Sequence, residues 1–248
     1  SAISKFTSAK DSESFKKHFL TLATPGSGKT IMASVLSLKL YEQGLIDLVL
    51  CFSPSSVVSS DFRDELTSQF QCEFNGKVGS LGEVFTYQKL GTISSDTWKL
   101  FDSFRVFVIF DEIHHCSGLC SATANAWGER IITHIQGRAA YTLALTGTPW
   151  RSDTVPIALA RYCTDTGAIH CDFQYGIARA IREGVCRHPE IALIDNKKVG
   201  VVTDTGIDHY NSIAQLLSDT DTSYQMLLEN DALVSYTLPC ANRRLDKV

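Results

Sequence analysis

Two short stretches of this sequence combine residue types and spacing suited to phosphate chemistry. The first is Ala23-Thr24-Pro25-Gly26-Ser27-Gly28-Lys29-Thr30, which follows an apolar run and opens a helical pattern. Gly26 and Gly28 let backbone N–H groups turn onto an anion with no Cβ in the way. The start of the following helix adds partial positive charge. Lys29 would then reach the β- and γ-phosphates of a nucleotide, and the Thr30 hydroxyl would ligate magnesium, as in a P-loop. One position departs from that pattern: its first residue is ordinarily glycine and here is Ala23.

The second stretch is Asp111-Glu112-Ile113-His114, placed directly after an apolar run that ends at Phe110. An aspartate at the end of a strand can hold magnesium through water, and the next glutamate can orient or deprotonate an attacking water. Phosphoryl transfer asks chiefly for such positioning and charge compensation. Two acids at a strand end are common by themselves; joined to the glycine turn they describe two parts of one ATPase site. A zinc reading of His114, His115, Cys116 and Cys120 fails on ligand spacing. Cys163, His170 and Cys171 read as packing or loop residues.

These groups need elements to hold them. Short apolar runs separated by helical stretches predict a buried, mainly parallel sheet. Strands are expected at His18 to Ala23, Ile46 to Phe52, Glu83 to Thr86, Phe104 to Phe110 and Tyr141 to Leu145. Helices are expected from Lys29 to about Tyr41, from Phe62 to Phe70 and from Ala126 to Ile135. Ile31, Val35, Leu36, Leu38 and Leu40 would form the buried face of the first. The alternation predicts a doubly wound α/β domain with its ligand at the carboxyl ends of the strands. After Pro189 the pattern weakens to one more strand at Ile191 to Ile194 and helices at Tyr210 to Leu217 and Tyr224 to Leu228.

Composition sets bounds. The chain has 248 residues, 44% of them apolar and 20% charged, with a formal net charge of −4. That charge argues against coating nucleic acid through a basic face, so any such contact must be local. No apolar run reaches the length of a membrane span, and Ser1 to Lys17 has no signal-peptide core. Eight scattered cysteines read as reduced thiols, which points to an intracellular, cytoplasmic protein.

With both stretches placed, the chain resembles superfamily 2 helicases of the DExH type, in the branch related to the type III restriction-enzyme helicase subunit. Ser53-Pro54-Ser55 and Thr86-Tyr87-Gln88 sit where that family contacts the nucleic-acid backbone. Leu145-Thr146-Gly147-Thr148-Pro149-Trp150-Arg151-Ser152-Asp153 is similar to its third motif. Phe173-Gln174-Tyr175-Gly176 through Val185 is similar to the segment by which the chain leaves the first motor domain.

The resemblance implies a RecA-like fold (a P-loop NTPase) with ATP and Mg2+ as cofactors. It makes Thr24, Pro25, Gly26, Ser27, Gly28, Lys29 and Thr30 the nucleotide cradle, with magnesium at Thr30 and Asp111. Lys29, Asp111, Glu112 and His114 would be catalytic, while Thr146, Gly147 and Thr148 couple hydrolysis to movement on nucleic acid, DNA before RNA. No glutamine stands upstream of the loop where many relatives use one to read adenine. A helicase domain over 1–189 and a short, mainly helical extension over 190–248 are expected. About sixty residues after Pro189 are too few for the family's second RecA-like domain, and Ala241 to Val248 is similar to the helix that precedes it. The chain by itself should then be a weak ATPase. Two rivals remain: a duplex DNA translocase of restriction or phage defence that never separates strands, and a nucleotide-dependent switch that does no mechanical work.

Overall fold

The computed structural model describes residues 1–9, 17–186, 199–203, 205–221, 223–231, 233–235 and 238–239. They fall into two compact units, Ser1–His188 and Pro189–Val248.

The first unit is built on strands β1 (His18–Ala23), β2 (Leu48–Ser53), β3 (Gly82–Thr86), β4 (Val106–Phe110) and β5 (Tyr141–Thr146). A small antiparallel pair follows, β6 (Arg161–Tyr162) with β7 (Ile169–His170), and then β8 (Phe173–Tyr175). Apart from that pair the strands form one sheet in the order β3-β2-β4-β5-β1-β8. Every pairing in it is parallel. All six carboxyl ends therefore lie along the same edge, and β5 separates β1 from β4.

Helices α1 (Ala2–Ala9), α2 (Lys29–Glu42), α3 (Ser56–Phe70), α4 (Ser95–Ser103), α5 (Ala126–His134) and α6 (Ile177–Arg182) complete the unit. Strand β4 shows why the sheet reads as unbroken apolar runs. Val106, Val108 and Phe110 pack with Trp98 and Phe101 of α4 and Ile131 of α5. Phe107 and Ile109 pack with Leu36 and Leu40 of α2 and Phe62 and Leu66 of α3. All five strand residues are fully buried, so the two-residue period has no polar face to report.

Local capping moved some boundaries away from the sequence expectation. Helix α3 starts well before Phe62 because the Ser55 hydroxyl accepts from Val58 N at 3.4 Å and caps it. Helix α4 was not anticipated; Ser94 caps it by accepting from Thr97 N, and it buries Trp98 and Phe101 one turn apart. In α2 the buried stripe is Ala33, Ser34, Leu36, Ser37 and Leu40. Ile31 is exposed instead, and Val35 and Leu38 are only partly buried, so the stripe that meets the sheet runs through the small residues between them.

The second unit contains an antiparallel hairpin, β9 (Val199–Thr203) with β10 (Gly206–Tyr210), and helices α7 (Ile213–Asp219) and α8 (Tyr224–Leu228). The helix expected from Tyr210 starts three residues later. Tyr210 pairs with Val199 in the hairpin, and Ser212 caps α7 by accepting from Gln215 N at 3.0 Å. The expected strand at Ile191 to Ile194 and the helix at Ala241 to Val248 lie outside the described residues. Among the described residues no helix is long and apolar enough to cross a membrane.

Candidate nucleotide site

At the end of β1 the chain leaves the sheet through Thr24 to Gly28 and enters α2 at Lys29. Gly26 (φ 75) and Gly28 (φ 78) both take left-handed backbone, which a side chain would strain. Gly28 is the residue before the helix, so the first N–H groups of α2 are capped by no side chain and face outward. The loop is pinned from behind, with Thr24 N donating to Tyr175 O at 3.1 Å and Ser27 N to Thr24 O at 3.3 Å.

Lys29 folds back over its own loop. Its Nζ donates to Ala23 O at 3.4 Å and to Glu112 Oε1 at 2.9 Å. Glu112 reaches it because its backbone is left-handed (φ 49), which breaks the strand line at the end of β4. The other carboxylate oxygen of Glu112 accepts from Gly147 N at 3.4 Å and lies 3.4 Å from His114 Nδ1. Thr146 Oγ1 contacts His114 Nδ1 at 2.9 Å and accepts from Thr148 N at 3.1 Å, while Thr148 Oγ1 lies 3.4 Å from the same ring nitrogen. A methyl group built on Gly147 would lie 3.4 Å from Pro25 Cδ and 3.8 Å from Lys29 Nζ. The glycine turn, the acidic box and the Thr-Gly-Thr turn thus meet, because β1, β5 and β4 are neighbours. Thr30, the second residue of α2, is half-buried at the same edge.

Arg151 adds a contact that motif reasoning left without a role. It donates to the His114 carbonyl and pairs with Asp153, tying the segment after β5 to the acidic box. The only signal in the sequence was its place just behind the Thr-Gly-Thr turn.

Asp111 is buried, and its Oδ1 has no hydrogen-bond partner among the described residues. Burial, then the neighbouring Glu112 carboxylate, push its carboxyl up to about 6, against a downward pull from Lys29. The sign follows from that direction. A native pKa above the unfolded value favours folding at acid pH, and the favour is lost as pH rises through about 6. In chelator-treated protein, Asp111→Asn should raise unfolding stability at pH 8 by about 1–3 kcal/mol. Urea titrations at pH 8 and pH 5 check this, since the gain must shrink at the lower pH. A loss of stability at pH 8 would contradict it.

The two stretches assigned to nucleic-acid contact end neighbouring strands, with Ser53 of β2 in register with Thr86 of β3. Only part of each is available. Ser53 is fully buried, with its hydroxyl 2.7 Å from Ser59 Oγ. Tyr87 is fully buried as well; its hydroxyl donates to Asp111 O at 2.8 Å and its ring stacks on Trp127. Both therefore support the strand ends rather than present themselves: Ser53 closes β2 against α3, and Tyr87 opens the 3-10 turn after β3 packed under Trp127. Pro54, Ser55, Thr86 and Gln88 are the residues with exposure. Tyr87→Phe should cost about 1–2 kcal/mol in urea unfolding, the price of one buried hydrogen bond, and should leave nucleic-acid affinity unchanged. A selective loss of affinity would return Tyr87 to the surface role.

A RecA-like α/β sheet that gathers a glycine turn, an acidic box and a Thr-Gly-Thr turn on one edge defines the class of helicase-type motor domains. Residues 1–151 match the family of the type III restriction enzyme res subunit, and the chain belongs to that family. It is 29% identical over 188 residues to an uncharacterized protein of Mycobacterium tuberculosis strain H37Rv, covering 69% of this chain and 29% of that one. An uncharacterized protein of Mycobacterium leprae is 28% identical over 224 residues, covering 84% and 35% of the two chains. The chain thus spans about a third of the length of the curated relatives it matches. Among solved structures it is similar in fold to the Type ISP restriction-modification enzyme LlaGI, a nuclease-deletion mutant in complex with a DNA substrate mimic. That likeness has a TM-score of 0.52 at 14% identity, over 74% of this chain and 20% of the other.

Proposed function

We propose that this chain is the first motor domain of an ATP-dependent DNA helicase or translocase, binding ATP with Mg2+ at the loop from Thr24 to Thr30. The observation that carries the reading is the contact of Lys29 Nζ with Glu112 Oε1 at 2.9 Å, with Gly147 N on the other carboxylate oxygen. It joins three separate chain segments in one place suited to a triphosphate. The residues fit the absent ligands. The orphaned Asp111 Oδ1 is an acceptor suited to a hydrated cation, and Gly26 and Gly28 leave open space above the loop. Magnesium, when bound, supplies charge that offsets the phosphate oxygens.

The protein's own groups divide the rest. Lys29 and the N–H groups of the loop and of the start of α2 would hold phosphate oxygens, with Thr30 and Asp111 oriented toward the cation. Glu112 would position the attacking water and accept its proton. His114 with Thr146 and Thr148 would pass the state of that site to the nucleic-acid side at Pro54, Ser55, Thr86 and Gln88. The exit segment through Val185 and the unit after it would lead to a second RecA-like domain in the longer protein, which would close the opposite wall of the cleft. DNA is favoured by the family's restriction setting and by the DNA substrate mimic bound to LlaGI.

One wall alone makes few phosphate contacts, and the net charge of −4 adds no general attraction. The chain by itself should bind single-stranded DNA weakly at physiological salt and show almost no DNA-stimulated turnover. Titration of labelled DNA and RNA at two salt concentrations, with ATP hydrolysis followed in parallel, tests this. Tight binding together with strong stimulation would make the chain a motor without need of a partner domain.

A further inference from the structure

Four aromatic rings run nearly parallel near the carboxyl edge of the sheet. Phe110 at the end of β4 stacks on Phe52 of β2 at 5.7 Å and 17°. Phe52 in turn faces Tyr87 at 6.5 Å and 17°, and Tyr87 stacks on Trp127 at 5.5 Å and 19°. The first three rings are fully buried. Trp127, in the first turn of α5, stays partly exposed, so the row comes to the surface there. Among the described residues the ring of Tyr87 is the one aromatic neighbour of Trp127.

Charge marks the place where the row surfaces. Tyr87 sits in the chain between Thr86 and Gln88, and the exposed Lys89 follows on the same 3-10 turn, Tyr87–Gly91. Arg130 stands three residues beyond Trp127 on α5, the spacing that puts two side chains on one helix face. Glu129, two residues from Trp127, falls on another face. Lys89 and Arg130 are both exposed, and neither pairs with a carboxylate among the described residues. Arg105, Arg138, Arg151, Arg161 and Arg179 each have such a partner. In a chain of net charge −4, two unpaired cations beside a surface ring form a local patch suited to phosphates.

We infer that Trp127 is a base-stacking platform for single-stranded nucleic acid, with Lys89 and Arg130 on the flanking phosphates. The inference rests on the proposed nucleic-acid side and adds to it a contact with bases, where Pro54, Ser55, Thr86 and Gln88 would meet the backbone. An unpaired base extends the row of rings by one member. Every base has a π face, so the platform tolerates any sequence. A base inside a duplex is already stacked on its neighbours. The contact therefore selects single strands and counts against a translocase that only ever grips duplex.

The test is equilibrium binding of the chain, at low salt, to a labelled single-stranded DNA, to an abasic strand of the same length, and to the duplex. The parent should bind the normal strand about tenfold tighter than the abasic strand, and tighter than the duplex. Trp127→Leu should weaken the normal strand by about five- to tenfold and leave the abasic strand unchanged. Trp127→Phe keeps a ring on Tyr87 and should retain most of the difference. Lys89→Gln and Arg130→Gln should weaken both strands alike, each making the salt dependence shallower by about one phosphate contact. Equal affinity of the parent for normal and abasic strands, or for single strand and duplex, overturns the platform and leaves a backbone track standing. Parallel weakening of both strands by Trp127→Leu does the same. Absence of binding to all three overturns the nucleic-acid side and the platform with it.

Discussion

Lys29→Ala should abolish measurable nucleotide binding, a loss of about 10²–10³-fold, while the domain stays folded. The ammonium is the cation at the mouth of the loop, and its side chain is only 12% exposed where it meets Glu112. Charge-assisted hydrogen bonds contribute about 1.5–3 kcal/mol each, so losing two on phosphate oxygens accounts for the expected drop. Folding should survive because the position opens α2, where alanine is the best helix former. The partner left behind is not isolated either. Glu112 keeps Gly147 N as a donor and remains partly exposed. Calorimetric titration with Mg·ATP, paired with a urea melt, measures both halves. Equal affinity in variant and parent would remove the phosphate role from this loop.

Glu112→Gln should separate binding from chemistry. In a longer protein that contains the partner domain, turnover should fall by about 10²–10⁴-fold, the usual contribution of a general base. Nucleotide binding should persist and tighten a few-fold. In the parent the carboxylate competes with phosphate for Lys29 at 2.9 Å, and the neutral amide competes less. The left-handed backbone at the position (φ 49) suits either side chain equally, so the geometry of the turn should hold. Rapid-quench turnover set beside equilibrium affinity reads the two effects separately. Parental turnover in the variant would take the base role from Glu112, and weakened binding would contradict the competition for Lys29.

The order of the chemistry along the chain is legible in its local patterns. Glycines at 26 and 28 followed by Lys29, and two acids after the run ending at Phe110, are local patterns whose physics is local too. A strand must end and a helix must begin for those backbone groups to face a ligand, and each requirement leaves its mark within a few residues. The strands themselves were visible for a similar reason: a sheet covered on both faces writes each strand as a short apolar run. Boundaries were less legible where a cap decided them, as at Ser55 and Ser212, because a single side-chain hydrogen bond can move a helix start without altering the apolar period.

Local patterns along the chain thus carry the class of fold and the kinds of group at its carboxyl edge. Which of those groups touch follows from the order of strands in the folded sheet. Placing β5 between β1 and β4 sets Gly147 against Lys29 and Glu112, and no spacing along the chain encodes that neighbourhood. The tertiary fold likewise turned Ser53 inward onto Ser59, and Tyr87 inward onto Asp111 and Trp127, contacts that no local pattern records. Strand β8 carries no strand signal of its own within the exit segment Phe173 to Val185. It lies beside β1 because a parallel pairing more than a hundred residues away in sequence is fixed by sheet order, which local patterns do not record.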